Sequence, residues 1–338
     1  MNLKQADQRP SIAGLQAGQR VDDVVFRVAQ KDLRTTSNGG LYIHAVIADA
    51  TGEMLARMWQ ASQEIYDSIP DGGLLHFRGR VESYKGNPQF IIDGVRAVEP
   101  GSVDPSAFLP STPYDTEVLW QRVKDILRTI QSRDVLALIG KFVNDAAFVE
   151  NFKRAPAAVQ MHHAYLGGLL EHTHNLLRLA DAICPLYPKV SRDLVLAGIL
   201  LHDAGKVREL AYESNLEYTS EGQLLGHIVQ CVLWMHEKCR EIEQETGQPF
   251  PKQIELTLKH IILAHHGKYE FGSPRLPATP EAFVVHYVDN LDAKLAMTFD
   301  AIEHDTDAAS EWTSYVRAIE SRVFKPDVMG IRGEEAGA

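Results

Sequence analysis

The stretch EHTHNLLRLADAICPLYPKVSRDLVLAGILLHDAGK, Glu171–Lys206, governs how the larger part of this chain is read. It holds two helix-like segments parted by Pro185 and Pro188, and each carries a polar group on its apolar face. His172 shares a face with Leu169 and Leu176. His202 shares one with Val195 and Ile199 and is followed at once by Asp203. A single histidine on such a face is ordinary core chemistry. A buried carboxylate is not, because leaving it without a partner is costly.

The neighbouring segments repeat the feature. His265, followed by His266, lies with Leu258 and Ile261, Asp289 lies with Val285 and Ala293, and His227 stands on a further helical segment. Twelve of the 14 histidines fall between His162 and His304, a concentration that suggests a local chemical use. Lysine and arginine are scarce near these positions, Lys206 excepted, so divalent cations are the natural partners of the whole set. A carboxylate next to a histidine can bridge two ions. Two ions about 3.5–4 Å apart can activate a water and hold a phosphoryl group. No cysteine joins the set, which argues against a structural zinc site.

Helical patterns fill the chain beyond residue 115. They are read over Thr116–Ile139, Ala155–Cys184, Arg192–His202, Leu224–Gln244, Lys252–His265 and Glu281–Ile302. Ser191 and the Thr279-Pro280 pair supply helix starts, and Gly205 a stop. The first hundred residues read differently. Short alternating segments are separated by the turns SNGG, ATGE and KGNP, in the order three strands, a helix, two strands. That order fits a small Greek-key barrel of the OB type. The expected fold is therefore multidomain: an all-β OB-type barrel over 1–98, a linker over 99–115 with prolines at 100, 105, 110 and 113, an all-α domain over 116–325, and a flexible tail over 326–338.

The net charge of −11 excludes a strongly basic nucleic-acid binder. The first hundred residues are near neutral, with 11 Lys/Arg against 12 Asp/Glu, and the remainder carries 23 against 33. Three cysteines without a CxxC pair suggest structural thiols in a reducing compartment. No segment reads as a signal peptide or a membrane span, so a cytoplasmic protein without membrane attachment is expected.

The ordered series His172, His202-Asp203, His227, His265-His266, Asp289 resembles the HD-domain metal-dependent phosphohydrolases. The segments HHAYLGGLLEHT, LLHDAGKVREL, TSEGQLLGHI and LAHHGKYEFGSPRLPATPEAFVVHYVDNLDAK, with an OB-like module in front, resemble the YhaM-type 3′-to-5′ exoribonucleases over residues 15–325 or so. The GYP motif of the related cyclic-di-GMP phosphodiesterases is absent; YEFGSP stands there instead. The resemblance implies a metal-dependent 3′-to-5′ exonuclease that hydrolyses single-stranded RNA, with DNA as an alternative, to nucleoside 5′-monophosphates. It implies two divalent ions, manganese foremost, with Co, Fe, Ni, Mg or Zn as alternatives. His172, His202, Asp203 and Asp289 would hold one ion. Asp203, as a bridge, would hold the other with His227, His265 and His266. Lys206 would face the scissile phosphate, and His163 or its neighbour His162 would bond substrate phosphate or protonate the leaving oxygen.

An OB barrel beside a nuclease binds single strands by stacking bases on aromatics along a basic groove. Tyr42 and Tyr84 with Arg34 and Lys85 are the chosen contacts, and a homo-oligomer is expected. Two other readings stay open: a phosphohydrolase of small nucleotides whose barrel serves assembly, and a binding protein whose helical half no longer catalyses.

Overall fold

A computed structural model of the chain describes residues 10–331 except 71, 85, 100, 160–162, 213–215, 306 and 308. Two compact units emerge: Met1–Pro113 with Leu210–Thr219, and Tyr114–Glu209 with Ser220–Ala338.

The first unit is a closed five-stranded barrel. Its strands are β1 (Arg20–Thr35), β2 (Leu41–Asp49), β3 (Gly52–Trp59), β4 (Leu74–Tyr84) and β5 (Asn87–Ala97), with α1 (Gln63–Ser68) between β3 and β4. The spatial order is β1-β2-β3-β5-β4, and only β3 and β5 run parallel. This is the OB arrangement expected from the alternation and turns. Register shifts interrupt β1 between Val21 and Val24 and between Val28 and Gln30, where the long strand bends from one partner to the other. Phe26, Phe77 and Phe90 fill the interior, their rings 5.9–6.3 Å apart in tilted and edge-on contact. The proline-rich segment that follows contains a 3-10 turn at Pro105–Phe108 and buries Phe108 and Leu109.

The second unit is helical: α2 (Thr116–Leu127), α3 (Arg133–Val143), α4 (Ala146–Arg154), α5 (Gly168–Ile183), α6 (Arg192–His202), the single turn α7 (Lys206–Glu209), α8 (Ser220–Thr246), α9 (Lys252–Ala264) and α10 (Pro280–Glu303). A short hairpin, β6 (Leu210–Ala211) with β7 (Glu217–Tyr218), belongs by its contacts to the first unit. Ser191 and Thr279 cap α6 and α10 as expected, accepting from the amides of Leu194 and Ala282.

Two helical expectations fail. Thr116–Ile139 is two helices, because Ser132 accepts from the Val135 amide and starts a new one. Ala155–Cys184 is not helical throughout: α4 ends at Arg154 and α5 begins at Gly168. Ala155 precedes Pro156 and is extended (φ −59°, ψ 139°), the conformation the proline ring imposes on its neighbour.

Candidate metal centre

Six helices deliver the site. His172 lies in the first half of α5, His202 ends α6 and Asp203 caps it. Lys206 opens α7, His227 follows the kink in α8, His265 caps α9 with His266 next, and Asp289 lies mid-way along α10. Two glycines make the convergence possible. A Cβ on Gly205 would stand 2.1 Å from the His227 carbonyl oxygen, so only glycine lets α7 and α8 approach so closely. Gly226 takes φ 71° and ψ 158°, breaking α8 immediately before His227.

His172, His202, Asp203 and His265 are buried almost completely. The donor atoms of His172, His202 and Asp203 lie within 4.8 Å of one another, and so do those of His227, His265 and His266. Asp203 stands between the two sets. Its Oδ2 is 3.3 Å from His202 Nε2 and 3.9 Å from His172 Nε2; its Oδ1 is 3.4 Å from His227 Nε2 and 3.6 Å from His265 Nε2. Asp289 Oδ1 lies 3.2 Å from His172 Nε2.

The tautomers are set from behind. Nδ1–H of His202 donates to the Ile199 carbonyl at 2.7 Å, that of His265 to Ile262 at 2.7 Å, and that of His266 to Phe271 at 2.8 Å. His227 Nδ1 bonds Glu209 at 3.0 Å and His172 Nδ1 bonds Asp292 at 2.8 Å. Nε2 of His202, His227, His265 and His266 therefore faces the centre with a lone pair, while that of His172 faces Asp289. Nε2 of His202, His227 and His265 and Oδ1 of Asp203 are buried without a hydrogen-bond partner. Orphaned imidazole and carboxylate acceptors that converge in this way fit a divalent cation.

Charge follows the same logic. Burial opposes ionisation of Asp203, but Lys206 at 2.6 Å and the surrounding histidines hold its carboxyl well below the usual range. Burial also holds His265, and less strongly His266, below the usual imidazole value. His172 is the exception. Burial disfavours its charge, yet hydrogen bonds to Asp289 and Asp292 override it and lift the pKa to about 9. Asp289 and Asp292 are correspondingly lowered.

All the expected metal ligands and Lys206 thus come together, and Asp203, Lys206, His265, His266 and Asp289 among them line a cavity of about 400 Å³. His163 is placed differently. It is buried behind His172, with Nδ1 2.8 Å from the Tyr165 hydroxyl and Nε2 2.9 Å from Asp292. Both ring nitrogens are engaged there, so contact with a substrate phosphate requires one of those bonds to be exchanged. His162 lies outside the described residues. Asp292 and Glu209 went unread in the sequence. Asp292, one turn beyond Asp289 on the same face of α10, had a signal in that i, i+3 spacing; Glu209 had none.

On the barrel, Tyr42 and Tyr84 join one outward cluster. Tyr42 pairs with Trp59 across β2 and β3, ring centroids 5.2 Å apart. The Arg57 guanidinium lies 5.6 Å from the Trp59 ring and 5.2 Å from that of Tyr84. Trp59 and Tyr84 are about half exposed. Arg57, which shares the outward face of β3 with Trp59, was not among the sequence candidates. Arg34 stands opposite Tyr42 in the β1–β2 register and is paired with Asp32 at 2.9 Å. Lys85 lies outside the described residues.

Residues 169–294 match the HD domain family. With the His/Asp clusters, that match indicates divalent-metal binding. Among solved structures, the second OB-fold domain of replication protein A from Methanococcus maripaludis is matched over 28% of this chain and all of its own, at TM-score 0.23 and 15% identity. A protein described as 3′-5′ exoribonuclease YhaM from Geobacillus sp. (strain WCH70) is 32% identical over 96% of this chain and 98% of its own length. Proteins of the same description from Bacillus velezensis and Bacillus subtilis are 33% and 32% identical, each over 91% of this chain and 95% of their own. Similarity of that extent, carried through the barrel and the histidine-lined helices alike, places this chain in the YhaM family of 3′-5′ exoribonucleases.

Proposed function

We propose that this chain is a 3′-to-5′ exonuclease that removes nucleoside 5′-monophosphates from single-stranded RNA with two divalent ions. The observation that carries this reading is Asp203, whose two oxygens face two separate histidine sets. His172, His202 and Asp289 would hold one ion, and His227, His265 and His266 the other. Bound there, the ions supply a water of lowered pKa and neutralise charge on the phosphoryl group. Mixed imidazole and carboxylate donors accept manganese, which the family resemblance puts foremost, as well as Co, Fe, Ni, Mg or Zn.

The chain's own residues do the rest. Asp203 and Asp289 anchor the ligands, and Asp292 and Glu209 hold His172 and His227 in their working tautomers. Lys206 lines the cavity and supplies a fixed positive charge against the scissile phosphate. On the barrel of 1–98, Tyr42, Trp59, Arg57 and Tyr84 offer stacking faces for successive bases, while residues 116–325 cut. Apolar residues exposed along α10, among them Phe283, Leu291, Leu295 and Phe299, favour a homo-oligomer, and we place the protein in the cytoplasm.

The test uses metal-stripped protein and single-stranded RNA labelled at its 5′ end, with Mn, Co, Mg or Zn restored separately. A ladder that shortens from the 3′ end only when metal is present is the expected result, and a DNA of the same sequence measures sugar preference. RNA left intact with every ion would refute the reading.

A further inference from the structure

Resting on the exonuclease reading above, we propose that Lys268, Lys294 and Arg317 form a subsite for the phosphate next to the scissile one on its 5′ side. A second space of about 350 Å³ adjoins the metal cavity and shares Phe271, His286, Asn290 and Lys294 with it. Three cations line this second space, and among its described lining residues Glu320 is the one carboxylate. That balance reverses the surplus of acid beyond residue 100, where 33 Asp/Glu face 23 Lys/Arg.

The chemistry of a 3′ end says what these cations meet. The terminal nucleoside ends in a hydroxyl, so the last nucleotide brings a single phosphate, the one that is cut. Lys206, beside Asp203, already attends that position. Cations farther along the same space have the strand's next phosphate as their polyanionic partner. Tyr287 and Phe271, both largely exposed at its rim, present ring faces to the intervening bases.

Two of the cations stand on fixed backbone. Arg317 stands at the tip of a loop closed by backbone bridges between Trp312 and Phe324 and between Val316 and Ser321. Arg322 ties the loop's strands by donating to the Thr313 carbonyl at 2.9 Å, and Lys325 pairs with Asp305 at 2.8 Å. Lys294, from α10, donates to the Ala318 carbonyl beside Arg317. One of its three donors is used there, which leaves the others for an anion.

The test removes one charge from the substrate. Two RNAs are compared with the metal-loaded protein: one with ordinary linkages, the other with a neutral methylphosphonate at the linkage next to the scissile one. Release of the terminal nucleotide from the neutral RNA should fall about tenfold or more in kcat/KM, as loss of charge-assisted hydrogen bonds dictates. Arg317→Ala and Lys268→Ala change exposed residues. Each should slow the ordinary RNA about tenfold and shrink the penalty of the neutral linkage toward one, the non-additivity expected of interacting groups. Equal kcat/KM on both RNAs with the unaltered protein would overturn the subsite. So would variants that keep the full penalty. Failure of the exonuclease reading looks different: the ordinary RNA would not shorten from its 3′ end at all.

Discussion

Asp203 is the residue the whole site leans on, because each of its oxygens faces a different pair of imidazoles. Asp203→Ala should lose bound metal and RNA hydrolysis together while the barrel keeps its fold. Elemental analysis, an activity assay and circular dichroism would check this; full activity in the variant would sink the two-ion arrangement. Asp292 does not line the metal cavity yet carries both His163 and His172, so Asp292→Asn should weaken metal affinity about 10–100-fold, as read by metal titration. His172 adds a pH signature. Its pKa rises from an ordinary 6.5 to about 9 in the folded protein without metal. The stabilisation from that shift is complete below about pH 6.5 and disappears as pH climbs through about 9. Metal-stripped protein should therefore show a falling melting temperature over that interval, and metal-loaded protein, whose His172 is a neutral ligand, should not. The convergence of His172, His202, His265 and Asp289 was legible because each interrupts an apolar face. Glu209 was not, since a carboxylate behind an imidazole leaves the same sequence pattern as any other polar residue on a helix; Asp292 left only its i, i+3 spacing from Asp289.

The helices are accurate where caps are explicit, and periodicity alone, which served for α8 and α9, fails in two places. Ser191 and Thr279 fixed the starts of α6 and α10. Periodicity ran straight through Ser132, because the apolar stripes of α2 and α3 happen to stay in phase, and it began the later helix at Ala155, ahead of Gly167, whose φ of 80° precedes the start of α5. Ser191→Ala should cost about 1 kcal/mol in denaturant unfolding, the usual value of a lost cap. Gly205→Ala is a different kind of change. The added methyl collides with the His227 backbone, so α7 and α8 must part and carry one ligand away from the others. Loss of metal binding with retained helical circular dichroism is expected there. Ala204→Gly, one residue earlier and without that approach, serves as the control for flexibility. The barrel strands were read correctly from alternation and turns, which work because one face of each strand fills a common interior. Alternation does not say which outward residues meet, and so Arg57 escaped and Trp59 was passed over while their neighbours Tyr42 and Tyr84 were chosen.

For the molecule entire, a near-neutral barrel accompanies a helical unit rich in acid. Binding of RNA must then come from stacking more than from bulk charge. Trp59→Ala should raise the KM for RNA by roughly tenfold or more, consistent with about 1–3 kcal/mol per stacked base, and leave metal content untouched. The salt dependence of RNA binding should be shallow beside that of a basic nuclease; a steep slope measured by fluorescence anisotropy would place the strand elsewhere. The imidazoles locked by Ile199, Ile262, Phe271, Glu209 and Asp292 have a consequence beyond catalysis. A cage whose donors are aimed before any ion arrives has little means of choosing among ions of similar size, and affinities then follow the intrinsic order of the transition series. What occupies it becomes a record of supply. Protein recovered from cells starved of manganese or flooded with zinc should carry the mark of that diet, and its turnover should report the nutrition of the organism that made it.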